Sequence, residues 1–75
     1  MNEPSAHYIV IQRTYELGIV VQERIILTRY SESSACAAAS VWAEVLGDIN
    51  VNLSYSVWKV IDGEKRIFCS EFFTK

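Results

Sequence analysis

The sequence predicts an α+β fold: a single domain of order β-β-α-β-β, in which a four-stranded, largely antiparallel sheet carries one helix packed on one face. Three observations predict it. One stretch, SESSACAAASVWAEVLG from Ser31 to Gly47, repeats apolar residues at three- and four-residue spacing. Runs rich in β-branched and aromatic residues flank it on both sides. Two turn signals, Glu16-Leu17-Gly18 and Asp62-Gly63, divide those flanks into hairpins.

The first hairpin joins HYIVIQRTY, from His7 to Tyr15, to IVVQERIILTRY, from Ile19 to Tyr30. A three-residue loop with Gly18 in the left-handed conformation closes it. That register puts Ile9 and Ile11 on one face with Ile19, Val21, Ile25 and Leu27. The other face receives Tyr8, Val10, Gln12 and Thr14 with Val20, Gln22, Arg24, Ile26 and Tyr30. Glu23 then falls on the apolar side and requires a bulge or an edge position.

The helix has a marked start. Ser31 accepts from first-turn amides, and Glu32 lies at the positive end of the dipole. Ala35, Ala38, Ala39, Trp42, Val45 and Leu46 form one apolar stripe, slim at the alanines and thick at Trp42, which plugs one end of the core. Gly47 closes the helix and Asp48-Ile49-Asn50 turns the chain away. The second hairpin runs from Val51 to Ile61 and from Lys65 to Phe73. A loop of two or four residues around Asp62-Gly63 gives Leu53, Tyr55, Val57, Phe68 and Phe72 one face. Ser54, Ser56, Trp58, Val60, Lys65, Ile67 and Cys69 take the other.

Seventy-five residues make one domain, 1–75, with residues 1–6 a loose N-terminal tail containing Pro4. The net charge of -2 and the pI near 5.2 exclude a general nucleic-acid-coating protein. The acid excess is equally too small for a duplex mimic. Two cysteines, Cys36 and Cys69, make neither a zinc spacing nor a disulfide framework, so a reducing cytoplasm is the expected setting. No apolar run reaches the ~20 residues of a membrane span and there is no signal-peptide pattern.

No catalytic chemistry is legible, and no enzyme, cofactor or metal is expected. His7, the only histidine, stands at a strand start without a relay partner. Cys36 lies where the helix dipole stabilises a thiolate, yet among alanines it reads as a small packing residue, as does Cys69 beside Ile67 and Phe73. The carboxylates Glu16, Glu23, Glu32, Glu44, Asp48, Asp62, Glu64 and Glu71 are scattered, with no acid–base pair. Phosphate loops and nucleophile elbows are missing.

The informative anomaly is that apolar residues occupy both faces of the sheet, whereas one helix covers one face. With Ile9, Ile11, Val21, Ile25, Leu27, Leu53 and Val57 under the helix, the open face shows Tyr8, Val10, Val20, Ile26, Tyr30, Trp58, Val60 and Ile67. Burying about five of these yields on the order of 10 kcal/mol, comparable with the roughly 4–15 kcal/mol lost on association. The expected partner-binding residues are Tyr8, Gln12, Gln22, Arg24, Tyr30, Trp58 and Lys65. The expected partner is a protein, or a second copy in a homodimer. Nucleic acid is the alternative, with Tyr8, Tyr30 and Trp58 stacking bases and Arg24 and Lys65 meeting phosphates.

In its layout, with HYIVIQRT opening, YSESSACAAAS starting a helix and IDGEKRIFC closing a terminal hairpin, the chain resembles very small phage-borne inhibitors, among them compact anti-CRISPR proteins with a helix on a short antiparallel sheet. The resemblance implies a non-enzymatic protein in the host cytoplasm. Such a protein blocks a host enzyme or nucleoprotein complex by occupying a functional surface. The basic patch of some such inhibitors is reduced here to Arg24, Lys59, Lys65 and Arg66.

Overall fold

The computed structural model describes residues 6–47 and 52–74. Its elements run β1 (Ala6–Glu16), β2 (Ile19–Arg29), α1 (Glu32–Gly47), β3 (Leu53–Ile61) and β4 (Lys65–Phe73). They form the expected β-β-α-β-β domain, and the sheet order is β2-β1-β3-β4 with every neighbouring pair antiparallel. β2 and β3 therefore run the same way on either side of β1, and α1 carries the chain across it. Ala6, expected in the loose tail, instead opens β1 and pairs with Ile61. The rest of that tail, Val51 and the turn Asp48-Ile49-Asn50 lie outside the described residues, as do the side-chain contacts expected of Leu46.

The cap forms as the sequence predicts: the Ser34 amide donates to Ser31 Oγ at 3.2 Å and the Ala35 amide to the Ser31 carbonyl at 3.1 Å. The buried stripe is narrower than expected. Ala35, Ala39 and Ala43 are buried, one turn apart, whereas Trp42 is 42% exposed and Val45 60%. Alanine at all three positions brings the helix close to the sheet. Trp42 reaches down beside it, its ring 6.2 Å from that of Tyr55.

The helix packs against Val10, Tyr55 and Val57, with Tyr8, Ile26, Leu27, Leu53, Cys69 and Phe72 around them. Here the expected faces of β1 need correction. Val10 pairs with Val57, and Gln12 with Tyr55, so the Tyr8, Val10, Gln12 and Thr14 set lies under the helix and Ile9 and Ile11 lie on the opposite face. β3 divides as expected, with Leu53, Tyr55 and Val57 inward.

Three bulges and two turns then set which residues of β2 and β4 share each face. The first loop is a two-residue turn, Leu17 and Gly18 at φ 55 and 79, with Glu16 opposite Ile19. β2 then carries two extra residues, Val21 and Ile26, each interrupting the alternation with β1. Ile25 is thereby opposite Ile11 while Leu27 is opposite Val10, on different faces of the sheet. The second loop has three residues, Asp62-Gly63-Glu64: Ile61 pairs with Lys65, and the Glu64 amide donates to the Ile61 carbonyl at 3.2 Å. A bulge at Cys69, between the Trp58–Phe68 and Val57–Ser70 pairs, restores the phase. Phe72 consequently faces the helix as expected, but Phe68 does not, and Lys65 and Ile67 lie on the helix side.

Candidate functional site

Among the described residues, nothing packs over the face of the sheet opposite α1. Cross-strand pairing places Ile9, Ile11, Arg13 and Tyr15 of β1 there, with Ile25, Glu23 and Val20 of β2. Ser54, Ser56, Trp58 and Val60 of β3 and Arg66, Phe68, Glu71 and Phe73 of β4 also lie on it. Ile9, Ile11 and Val60 are nevertheless buried, because each lies on a central strand and Trp58 lies against them.

The middle of this face is polar and internally satisfied. Arg13, on β1, stands opposite Glu23, on β2, and its Nε donates to that carboxylate at 2.6 Å. On the other side its Nη1 lies 3.6 Å from Glu71. Glu71 also accepts from Ser54 Oγ at 2.8 Å and from the Tyr15 hydroxyl at 3.4 Å, and Tyr15 and Ser54 are 3.1 Å apart. Trp58 Nε1 donates to Ser56 Oγ at 2.9 Å, and Ser56 donates to the Ile11 carbonyl at 3.4 Å. Ser54 and Ser56 are fully buried, and no buried side-chain polar atom among the described residues lacks a partner. Burial of the Arg13 guanidinium lowers its pKa, but the hydrogen bond and charge of Glu23, then Tyr15 and Glu71, more than offset this and the net shift is upward.

Two aromatic pairs bracket this ionic centre. Tyr15 and Phe73 lie 6.3 Å apart, and Trp58 meets Phe68 edge to face at 5.4 Å. The Arg13 guanidinium also sits 5.9 Å from the centre of the Trp58 ring. Beyond Tyr15 and Phe73 a shallow hollow of about 330 Å³ opens, lined also by Gly18, Asn52, Leu53 and Thr74. Ile25, Phe68 and Phe73 are between 51% and 59% exposed.

Of the sequence-predicted site residues, only Trp58 lies on this face. Tyr8, Gln12, Gln22, Arg24 and Lys65 belong to the helix side by register, and Tyr30 stands exposed beyond the end of β2. Gln12 is committed there: its amide donates to the Tyr55 hydroxyl at 2.7 Å and its carbonyl accepts from Arg24 Nε at 3.3 Å. Tyr8, Gln12, Gln22 and Arg24 share one face as expected, but it is the face that α1 covers, since Val10 and Gln12 stand opposite Val57 and Tyr55; Lys65 joins that side because the second loop has three residues. Sequence reasoning missed Arg13, Tyr15, Glu23, Glu71, Phe68 and Phe73. The signal for the first of them was Glu23 itself, which fits no apolar face and finds its opposite charge in Arg13 once a bulge is allowed.

Ser54 donating to a carboxylate is a nucleophile–base pairing in form, but its hydroxyl is fully buried within the sheet and no substrate atom reaches it. Among the described residues no three His, Cys, Asp or Glu side chains gather as metal ligands, and no helix is long and apolar enough to cross a membrane. What the face defines is a small open-sheet α+β domain with an aromatic and ionic surface. Comparison with protein-family models, with curated proteins and with solved structures finds no match for the chain.

Proposed function

We propose that the protein is a small, non-enzymatic interaction module that docks its open sheet face onto another protein. The supporting observation is the pair of aromatic clusters, Tyr15–Phe73 and Trp58–Phe68, held around an Arg13 fixed by two carboxylates. Aromatic and arginine side chains supply most of the energy of protein interfaces, and here their geometry is set before a partner arrives, which lowers the ordering cost. Covering the exposed halves of Val20, Ile25, Phe68, Phe73 and Trp58 yields roughly 1 kcal/mol each, about 5 kcal/mol together. That is the low end of the ~4–15 kcal/mol lost on association. The apolar area alone is thus insufficient, and the partner must also match the charges of Arg13, Glu23 and Glu71. In keeping with the layout resemblance to compact anti-CRISPR proteins, the biological reading is an inhibitor that occupies a functional surface of a host protein or nucleoprotein complex.

Nucleic acid is a poorer fit. Affinity for phosphate rests on several uncompensated cations, and on this face Arg13 already meets Glu23 and Glu71, which leaves Arg66 as its one arginine outside that pairing. The test is affinity capture from host lysate with wild-type chain beside a Trp58→Ala/Phe68→Ala double variant, with eluates analysed for protein and nucleic acid across a salt series. A protein retained by wild type and lost from a folded double variant supports the reading. Retention that ignores the double variant, or nucleic acid released steeply by salt, refutes it.

A further inference from the structure

We infer that the chain forms a homodimer through its helix side, with α1 of each copy seated beside α1 of the other and over the partner copy's β2. This surface is separate from the open face, and the inference does not depend on what that face binds.

The first observation is the composition of α1. Glu32 and Glu44 are its only charged residues among sixteen, whereas a helix with one side in water ordinarily carries charge along that side. Val41 and Val45 are instead 58% and 60% exposed, next to the half-exposed Trp42. Ala35, Ala39 and Ala43 face its own sheet, and at 100° per residue Ala37, Val41 and Glu44 lie opposite them. The outward side of the helix is thus largely apolar, with Glu44 as its charge.

The second observation is the position of α1. It rests chiefly on β3, and its Cys36 flank is the one towards β4, where Cys36 and Cys69 pack against the same core cluster. The opposite flank, with Ala38, Trp42 and Val45, therefore turns towards β1 and β2. On β2 the helix-side residues Gln22, Arg24 and Arg29 are exposed. β2 lies two strand spacings from β3, about 9.6 Å, which is within the ~8–10 Å separation of packed helices. A second helix centred over β2 thus packs against α1 and fills the strip. A two-fold axis parallel to α1, midway between β2 and β3, puts each helix in the other copy's vacancy.

Charge complementarity identifies the second copy as the occupant. That axis leaves height along the helix unchanged. Measured from the Arg29–Tyr8 row, Trp42 rises about 15 Å along α1 and Tyr55 about 14 Å along the sheet, and their rings do meet. On the same scale Glu44 stands at about 18 Å and Arg24 at about 14 Å, a difference within reach of an arginine. Neither has an ion-pair partner among the described residues, where the pairs formed are Arg13 with Glu23 and Glu71. In the dimer the Glu44 side of α1 faces the partner copy's Arg24-bearing strand, twice by symmetry. The footprint, about 24 Å of helix by about 19 Å of sheet, projects to roughly 460 Å², over half of the ~800 Å² per partner of a standard interface, so the charge pairs are needed beside the apolar contact.

The test is sedimentation velocity over a concentration series, with circular dichroism to confirm folding. Wild type is expected at twice the 8.5 kDa chain mass. Val41→Lys/Val45→Lys should yield a folded monomer. Glu44→Arg and Arg24→Glu should each weaken the dimer by about tenfold, and the two together should recover most of the loss. A monomer at all concentrations, a dimer broken by Phe68→Lys but indifferent to the helix-side variants, or a double charge swap without recovery overturns the proposal. If the lysine variants do not fold, the charge swap decides alone.

Discussion

Replacing Tyr55 probes the seat of the helix most severely. The residue is fully buried, packs in the cluster of Val10, Ala35, Ala39, Ala43 and Val57, meets the Trp42 ring at 6.2 Å and accepts a hydrogen bond from Gln12 at 2.7 Å. Truncating such an aromatic costs about 3–5 kcal/mol, part of it lost transfer energy and part the cavity left behind. A domain of this length has about 4–11 kcal/mol in all, so Tyr55→Ala should be unfolded or nearly so at room temperature. Tyr55→Phe retains the ring and removes only the hydroxyl. The Gln12 amide, half-buried, turns to water, and the net loss is about 1 kcal/mol, or about 4–8 °C in Tm. Urea titrations followed by tryptophan fluorescence, with Trp42 as the local reporter, measure both. A Tyr55→Ala variant within about 1 kcal/mol of wild type would refute the placement of Tyr55 beneath the helix.

Three further outcomes are expected. Leu17 holds φ 55 while 98% exposed, a conformation that costs a branched residue about 1–2 kcal/mol, so Leu17→Asn should raise the unfolding free energy by about 1 kcal/mol in urea titration; an unchanged or lower stability contradicts the assigned turn. Glu71→Ala removes an acceptor from the buried Ser54, which keeps only Tyr15 at 3.1 Å; a loss of about 1–2 kcal/mol in chemical denaturation is expected, and no loss would show that the network contributes nothing. Burial, and then the charge of Glu32, push the Cys69 thiol above its ordinary pKa. Its stabilising contribution is therefore complete below the unfolded thiol's pKa and is lost as pH rises through the folded one. The Tm should fall across that alkaline window, less so in Cys69→Ala, and native Cys69 should alkylate more slowly than in denaturant. Equal alkylation rates in the two states would contradict it.

The element order was legible because its signals are local. Ser31 and Glu32 mark the helix start, alanine spacing marks its inner side, and Leu17-Gly18 and Asp62-Gly63 mark the turns. Which face each strand presents was not legible, because facing depends on a running count of residues that a single bulge inverts. β2 holds two such residues, Val21 and Ile26, one in each of the apolar runs Ile19–Val21 and Ile25–Leu27, where no composition change betrays them. The candidate site depends on a further choice, which face α1 covers. Alternation rightly groups Tyr8, Gln12 and Arg24, but with apolar residues on both faces it does not say which one the helix takes, and Gln12 satisfies the Tyr55 hydroxyl under it. Arg13, placed between two carboxylates by three different strands, is a tertiary arrangement that only the Arg13–Glu23 charge match foreshadowed.

The account rests on which face of the sheet α1 covers, and NMR reads that directly through nuclear Overhauser contacts from the Ala39 methyl in a labelled chain. It predicts cross-peaks to the Val10, Tyr55 and Val57 side chains and none to Ile9, Ile11 or Trp58. Contacts from Ala39 to Ile9 or Trp58 would place the helix over the proposed docking face and contradict it.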